Sequence, residues 1–151
     1  MSATFDPGPN FHEIGPRNRQ WIRNIRGQAY ATEPYMFVAS TAPEDSWNGN
    51  AAVKYLEPGT VVAALTDGSG IGPFDTTATD GRGDVANIVG ICNTFLPDEL
   101  NKGNHTVGVV TANVTAYESV VIEHNAGAPI PVTATTMDAL RTRSLDILFT
   151  A

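Results

Sequence analysis

A chain of 151 residues suits one domain with its own core, and a single cysteine excludes an intrachain disulfide framework. A formal charge of −7 argues against broad binding to DNA or RNA, whose affinity comes from neutralising phosphates. No run approaches the roughly 18 apolar residues of a membrane-spanning helix, and "MSATFDPGPN" has neither the basic start nor the apolar core of a secretory signal, so synthesis in a reducing interior is expected.

Taken in chain order, residues 1–57 read as an extended N-terminal arm and lead-in, and residues 58–151 as a β-rich body. Pro7, Pro9, Pro16, Pro34 and Pro43 oppose long helices in the front part and favour extended backbone. Phe5, Phe11, Ile14, Trp21, Ile22, Ile25, Tyr30, Tyr35 and Phe37 give it more large apolar groups than disordered tails carry. Arg17, Arg19, Arg23 and Arg26 are four of nine basic residues, and no acid lies between Ile14 and Thr32. From Pro58 onward ten acids face four basic residues. A basic arm on an acidic body points to an acidic partner surface, a solvated tail being the alternative. Within the arm, "RNRQWIRNIR" has the spacing of a short helix with Trp21, Ile22 and Ile25 on one side.

The body reads as strands. "TVVAALT" (60–66), "VANIVGIC" (85–92), "HTVGVVTANVTA" (105–116) and "SVVIEH" (119–124) are rich in β-branched residues and separated by turn residues. "SLDILF" (144–149) is a candidate last strand. "TTMDALRTR" before it predicts a helix, with Thr135 as cap and Asp138 three residues on, facing the first free amides. The expected fold class is therefore mainly β with one or two short helices (α+β), a small mixed barrel or sandwich.

Chemistry-bearing patterns are sparse. The glycines of "TDGRGDVANIVGIC" (79–92) lack the lysine and Ser/Thr of a phosphate loop, and Asp84 would repel phosphate. The tripeptide Arg82-Gly83-Asp84 matches a short adhesion motif, but Asp80-Gly81 and Gly83 make turn chemistry the stronger reading. His12, His105 and His124 show no zinc-ligand spacing. Cys92 ends an apolar run and reads as a small buried hydrophobe, with His124 as the one base that a nucleophile reading would give it. Asp67, Asp75, Asp80, Asp84, Asp98 and Glu99 fall in turns, where solubility and turn formation account for them. Asn104 and Asn113 begin glycosylation-type triplets, incidental without a secretory signal.

"LEPGTVVAALTDG", "FDTTATDGRGDVANIVGIC", "HTVGVVTANVTAYESVVIEH" and "TTMDALRTRSLDILFTA" occur in an order that resembles the head decoration proteins of tailed bacteriophages, the phage lambda type. The likeness covers roughly the last two thirds of the chain. The front departs from it, being longer and richer in arginine and aromatics. The resemblance implies a small β-barrel of β-tulip type that forms a homotrimer at three-fold positions on the outside of the expanded capsid. It implies a structural virion protein that holds neighbouring major capsid protein subunits together against internal DNA pressure. It carries no enzyme activity, no cofactor, and no direct contact with nucleic acid or membrane. The arm would dock on the shell, with Trp21, Tyr30 and Tyr35 as aromatic anchors and Arg17, Arg19, Arg23 and Arg26 meeting carboxylates. The alternative is a virion-surface module for glycans, built on loops such as "PEDSWNGN" around Trp47.

Overall fold

Val61, Val62 and Ala63 are all fully buried, so the strand they form must be covered on both faces. The computed structural model, which describes residues 21–25, 31–44, 54–96, 99–143 and 147–151, meets that demand with a closed sheet wrapped on one side by a second layer. Strands β1 (Ile22–Ile25), β2 (Ala31–Phe37), β3 (Thr60–Ala64), β4 (Ile71–Pro73) and β5 (Ile88–Cys92) are followed by β6 (His105–Ala112) and β7 (Val114–Tyr117). Then come β8 (Ile122–Asn125), β9 (Ala128–Pro131), helix α1 (Ala134–Arg143) and β10 (Ile147–Thr150).

The order β4-β2-β6-β5-β3 closes on itself because β3 also pairs with β4, giving a mixed five-stranded barrel. Closure removes the exposed edges that an open sheet of this size would present. Phe37, Ile71, Val62, Cys92, Val107 and Val109 come from all five staves and fill the interior. The alternate residues Val61, Ala63, Ile91 and Val110 point outward, where Trp21, Val114, Ala116, Leu140 and Ile147 cover them. The cover is a small sheet, β1-β7-β10, plus α1. Two side-chain sets, one on each face of the same strands, explain how a small barrel has a core on both sides of its wall.

Local residues set the corners. The run from His105 breaks at Asn113, whose φ of 65° turns the chain out of the barrel and into the covering sheet. Asparagine tolerates that left-handed geometry better than most residues. Gly90 is obligatory because a Cβ there would strike the Val110 carbonyl. The run from Val85 begins with a 3-10 turn over Val85–Asn87, capped by Asp84, before β5 starts at Ile88.

Three sequence expectations change. Residues 22–25 form a strand paired with β7, not a helix, because β-branched Ile22 and Ile25 meet a partner edge. β2 pairs with β6 from Ala31↔Ala112 to Phe37↔His105, so a barrel stave lies on the arm side of residue 57. The helix is capped by Thr133, not Thr135: the Thr136 amide donates to Thr133 Oγ1 at 3.5 Å. Asp138 pairs instead with Arg141 at 3.2 Å on the exposed face.

The β8–β9 hairpin turns through Ala126 and Gly127, both at positive φ (51° and 79°), the geometry of a type I′ turn. Alanine in that conformation costs about 1 kcal/mol, and asparagine relieves it. Ala126→Asn is expected to raise the melting temperature by about 2–3 °C in a thermal melt; a fall would show that the turn is not I′.

Candidate functional site

The front of the body is fixed at Trp21. Its ring is 2 % exposed and packs within the outer core, against Gly59. Gly59 sits at φ 89° in the Pro58–Gly59 turn, and a Cβ there would lie 3.1 Å from Trp21 Cβ, so turn geometry and ring packing both require glycine. The indole Nε1 donates to Asn93 Oδ1 at 3.0 Å, and the Trp21 carbonyl accepts from the Tyr117 amide at 2.8 Å. Trp21 is thus a core pin and not an exposed anchor: an indole contributes most where its whole body is dry and its N–H has a partner. Residues 1–20 continue from this pin.

Of the other expected capsid contacts, Arg17, Arg19, Arg26 and Tyr30 lie outside the described residues, and Arg23 belongs to β1. Tyr35 is half-buried on β2 and packs against the barrel interior, while its hydroxyl donates to Glu33 at 3.1 Å. Burial, then the neighbouring Glu33 carboxylate, pushes its phenol pKa upward. It serves the barrel first, because β2 is a stave. Trp47 and Asp98 lie outside the described residues.

The loops between β3 and β5 are built on one repeated device. Asp67, Asp75, Asp80 and Asp84 each accept the amide two residues ahead, from Ser69 (2.9 Å), Thr77 (2.9 Å), Arg82 (3.3 Å) and Ala86 (2.8 Å). This is the Asx turn, in which a short acidic side chain substitutes for a backbone acceptor. It also decides the adhesion tripeptide. Arg82 Nε donates to both Asp80 oxygens at 3.0 Å, its Nη1 donates to the Pro73 carbonyl at 3.2 Å, and its side chain is only 15 % exposed. Asp84 caps the 3-10 turn. The tripeptide is folded into a corner with its guanidinium turned inward, as turn chemistry predicts.

Asp75 departs from its siblings and from the sequence expectation of a solvated turn acid. It is 6 % exposed and accepts from the Thr77 amide and hydroxyl, the Ala126 amide (3.1 Å) and the Gly127 amide (2.8 Å). It therefore ties its own turn to the β8–β9 hairpin some fifty positions away in sequence. Burial pushes its carboxyl up, but the bonds from Thr77, Gly127 and Ala126 more than offset this and hold it below the usual carboxylate range. The sequence signal was "DTT", an acid with a hydroxyl residue two positions on; its distant partners left no local trace. Glu123 does a parallel task at full burial, accepting the Thr133 amide at 3.0 Å and so fixing the start of α1.

His124, beside Asp75 on β8, is 3 % exposed, and neither ring nitrogen has a hydrogen-bond partner. Burial pushes its pKa down to about 4; Asp75 pulls the other way and Arg82 adds to the fall. Between pH 6.5 and about 4 the unfolded chain then binds a proton at this site that the folded chain refuses, so folding weakens as pH drops through that window. A fall from 6.5 to about 4, at ~1.4 kcal/mol per pH unit, is worth on the order of 3 kcal/mol. Denaturation midpoints at pH 7, 5.5 and 4 are expected to fall more steeply for the wild type than for His124→Gln, whose side chain does not titrate. Parallel pH profiles would show that the ring is already protonated or already wet.

Cys92 and the histidines were the sequence candidates for nucleophilic or metal chemistry. Cys92 lies in the barrel interior, its thiol pushed up to about 12 by burial, and its hydrogen-bond exchange is with Thr94. The unpartnered ring nitrogens of His124 mean that no Cys92–His124 hydrogen bond exists. His105 is exposed at the start of β6, and His12 lies outside the described residues. No group of three or more His, Cys, Asp or Glu able to hold a metal occurs among the described residues. Among them, too, no helix is long and apolar enough to cross a membrane. Asn104 spends its side-chain carbonyl on the Ala39 amide at 2.9 Å. Comparison of the chain with protein-family models, curated proteins and solved structures finds no match in any of the three.

Proposed function

We infer that this chain is a capsid decoration protein of a tailed phage: a homotrimer seated at three-fold positions on the outside of the expanded head. In this reading its leader crosses joints between major capsid protein subunits and stabilises the shell against internal DNA pressure. The observation that carries the reading is the Trp21 pin. A cement must transmit tension from its adhesive segment into a body that does not unravel. Here the arginine-bearing leader enters the body at a residue buried in the core, hydrogen-bonded through both ring and backbone. The next element, β1, is tied into the body by its antiparallel pairing with β7. The closed barrel supplies a rigid base, and the resemblance in residue order supplies the assembly. Three leaders on one trimer would bind as a unit: once one has landed, the others act at high effective concentration.

The test is removal of residues 1–20, a cut that spares Trp21. A cut at residue 35 would remove β1 and most of a barrel stave, and its failure would be uninformative. The shortened protein is expected to keep its melting temperature within a few degrees and to lose sedimentation with expanded shells of the cognate phage. Undiminished coating by the shortened protein would overturn the reading.

A further inference from the structure

The covering layer leaves part of the barrel wall bare. On β2, Tyr35 and Phe37 pack toward the interior, so by strand alternation Thr32, Pro34 and Met36 point outward. The register sets Pro34 opposite Gly108 and Met36 opposite Thr106 on β6. A Cβ at Gly108 would lie 3.3 Å from Thr32 Cγ2, which puts the two residues on one face. Thr32, Pro34, Met36 and Thr106 are all exposed. Among the described residues, Met36 at 43 % and Val85 at 37 % are the large exposed hydrophobics. Val85 directly follows the Asp84 carboxylate in its 3-10 turn. Met36 instead lies among uncharged neighbours, because Glu33 is on the other side of β2, where it accepts from the Tyr35 hydroxyl. A side chain that settles on this face must itself be uncharged and largely apolar.

The chain that leaves the Trp21 pin carries such side chains. Trp21 packs on Gly59, whose amide donates to the Cys92 carbonyl at 2.8 Å, and the next residue, Asn93, donates its amide to the Gly108 carbonyl at 2.9 Å. The leader thus departs at the β3 end of the strand order β2-β6-β5-β3. At about 4.8 Å per strand, Gly108 is roughly 10 Å away and Met36 roughly 15 Å. An extended chain spans roughly 33 Å from Trp21 to Phe11 and roughly 53 Å to Phe5, so either ring reaches the face with slack. The face also favours an aromatic ring over other apolar groups. A thioether makes favourable contacts with aromatic edges. A ring laid over a strand glycine supplies the packing that the missing side chain withholds. Arg17 and Arg19, nearer the pin, find no carboxylate among Thr32, Pro34, Met36, Thr106 and Gly108. We propose that in the free chain the outer β2–β6 face around Met36, Pro34 and Gly108 is a docking site for the chain's own leader, held through Phe11 or Phe5. This docking needs no capsid and stands or falls apart from the shell reading.

The test uses the full chain with 13C-methyl methionine, which reports on Met1, Met36 and Met137. With no shell present, the Met36 methyl is expected to be shifted upfield by a ring and to show nuclear Overhauser contacts to phenylalanine ring protons. The double variant Phe5→Ala/Phe11→Ala should lose both signals while Met137 stays in place, and the single variants identify the ring. Both substitutions precede the Trp21 pin, so the barrel they report on is left intact. Arg17→Gln/Arg19→Gln should leave the Met36 signals unchanged. An unmoved Met36 methyl in the double variant, an equal change at Met137, or loss of the contacts in the arginine variant would overturn the site. Recovery of the shift after the labelled double variant is co-refolded with unlabelled wild type would assign the ring to a second copy and overturn docking within one chain.

Discussion

Trp21→Ala is expected to remove about 3–5 kcal/mol from the stability of this protein, the usual cost of deleting a buried indole. The total available to a domain is only about 5–15 kcal/mol, so the variant should be marginal at 37 °C. Three losses combine. The ring leaves a cavity in the outer core that it shares with Val61, Phe74, Val114 and Ala116. The hydrogen bond to Asn93 disappears. Gly59, held against the indole, loses its packing partner. Trp21→Phe keeps most of the apolar body and is expected to cost about 1–2 kcal/mol, because Asn93 is exposed and water can replace the indole N–H. Urea denaturation reads both, as a shift of midpoint at constant slope. If Trp21→Ala stayed within about 1 kcal/mol of the wild type, the ring would not be a core residue. The contrast with removal of residues 1–20 is the diagnostic feature. One side chain at the pin should cost far more stability than twenty residues ahead of it, while on the proposed function both should impair attachment to the shell.

That Trp21 belongs to the core could not be read from its neighbours in sequence. Proline punctuation and the arginine cluster around it describe a solvent-facing arm, and an aromatic in such a segment has the composition of an interface. What decides its place is β7, more than ninety positions away, whose edge accepts β1. The same long-range pairing hides β2: Pro34 within "ATEPYMF" speaks against a central strand, yet it sits opposite Gly108 in a register that runs unbroken from Thr32 to Phe37 after a bulge at Ala31. The body was legible because its signals are local. Valine-rich runs bounded by Asp-Gly and Pro-Gly turns gave β3, β5, β6 and β8 within a few residues. The helix was found as well, though its cap was misplaced by two residues, since Thr133 and Thr135 are chemically equivalent in sequence. Only the buried Glu123 carboxylate, bound to the Thr133 amide, distinguishes them. The described aspartates Asp67, Asp75, Asp80 and Asp84 all form the turns expected of them, but Asp75 alone is also buried. Asp75 was not separable from them, because its burial is set by a hairpin that arrives from residues 122–131.

Asp75→Ala should accordingly cost about 3–4 kcal/mol, far beyond the ±0.5 kcal/mol typical of a surface turn acid. The carboxylate is acceptor to three backbone amides and one hydroxyl, and alanine leaves all four donors without it in a site that is 6 % exposed. Asp75→Asn is the sharper probe. It preserves volume but supplies one acceptor oxygen and one N–H2, and the N–H2 must face an amide donor; a cost of about 2 kcal/mol is expected. The damage should be local before it is global. Hydrogen exchange at the Ala126 and Gly127 amides should rise in Asp75→Asn, while exchange in β6 should follow the change in global stability. The pH dependence gives an independent sign. The folded carboxyl titrates below its ordinary value, so its contribution is present above the unfolded pKa of 3.8 and is lost as pH falls through the lower folded value. The stability gap between wild type and Asp75→Asn should therefore be constant from pH 7 to about 5 and shrink below pH 4. A gap independent of pH, or Asn at 75 matching the wild type at pH 7, would mean that the hairpin is held by its own strand pairing and that Asp75 is a bystander.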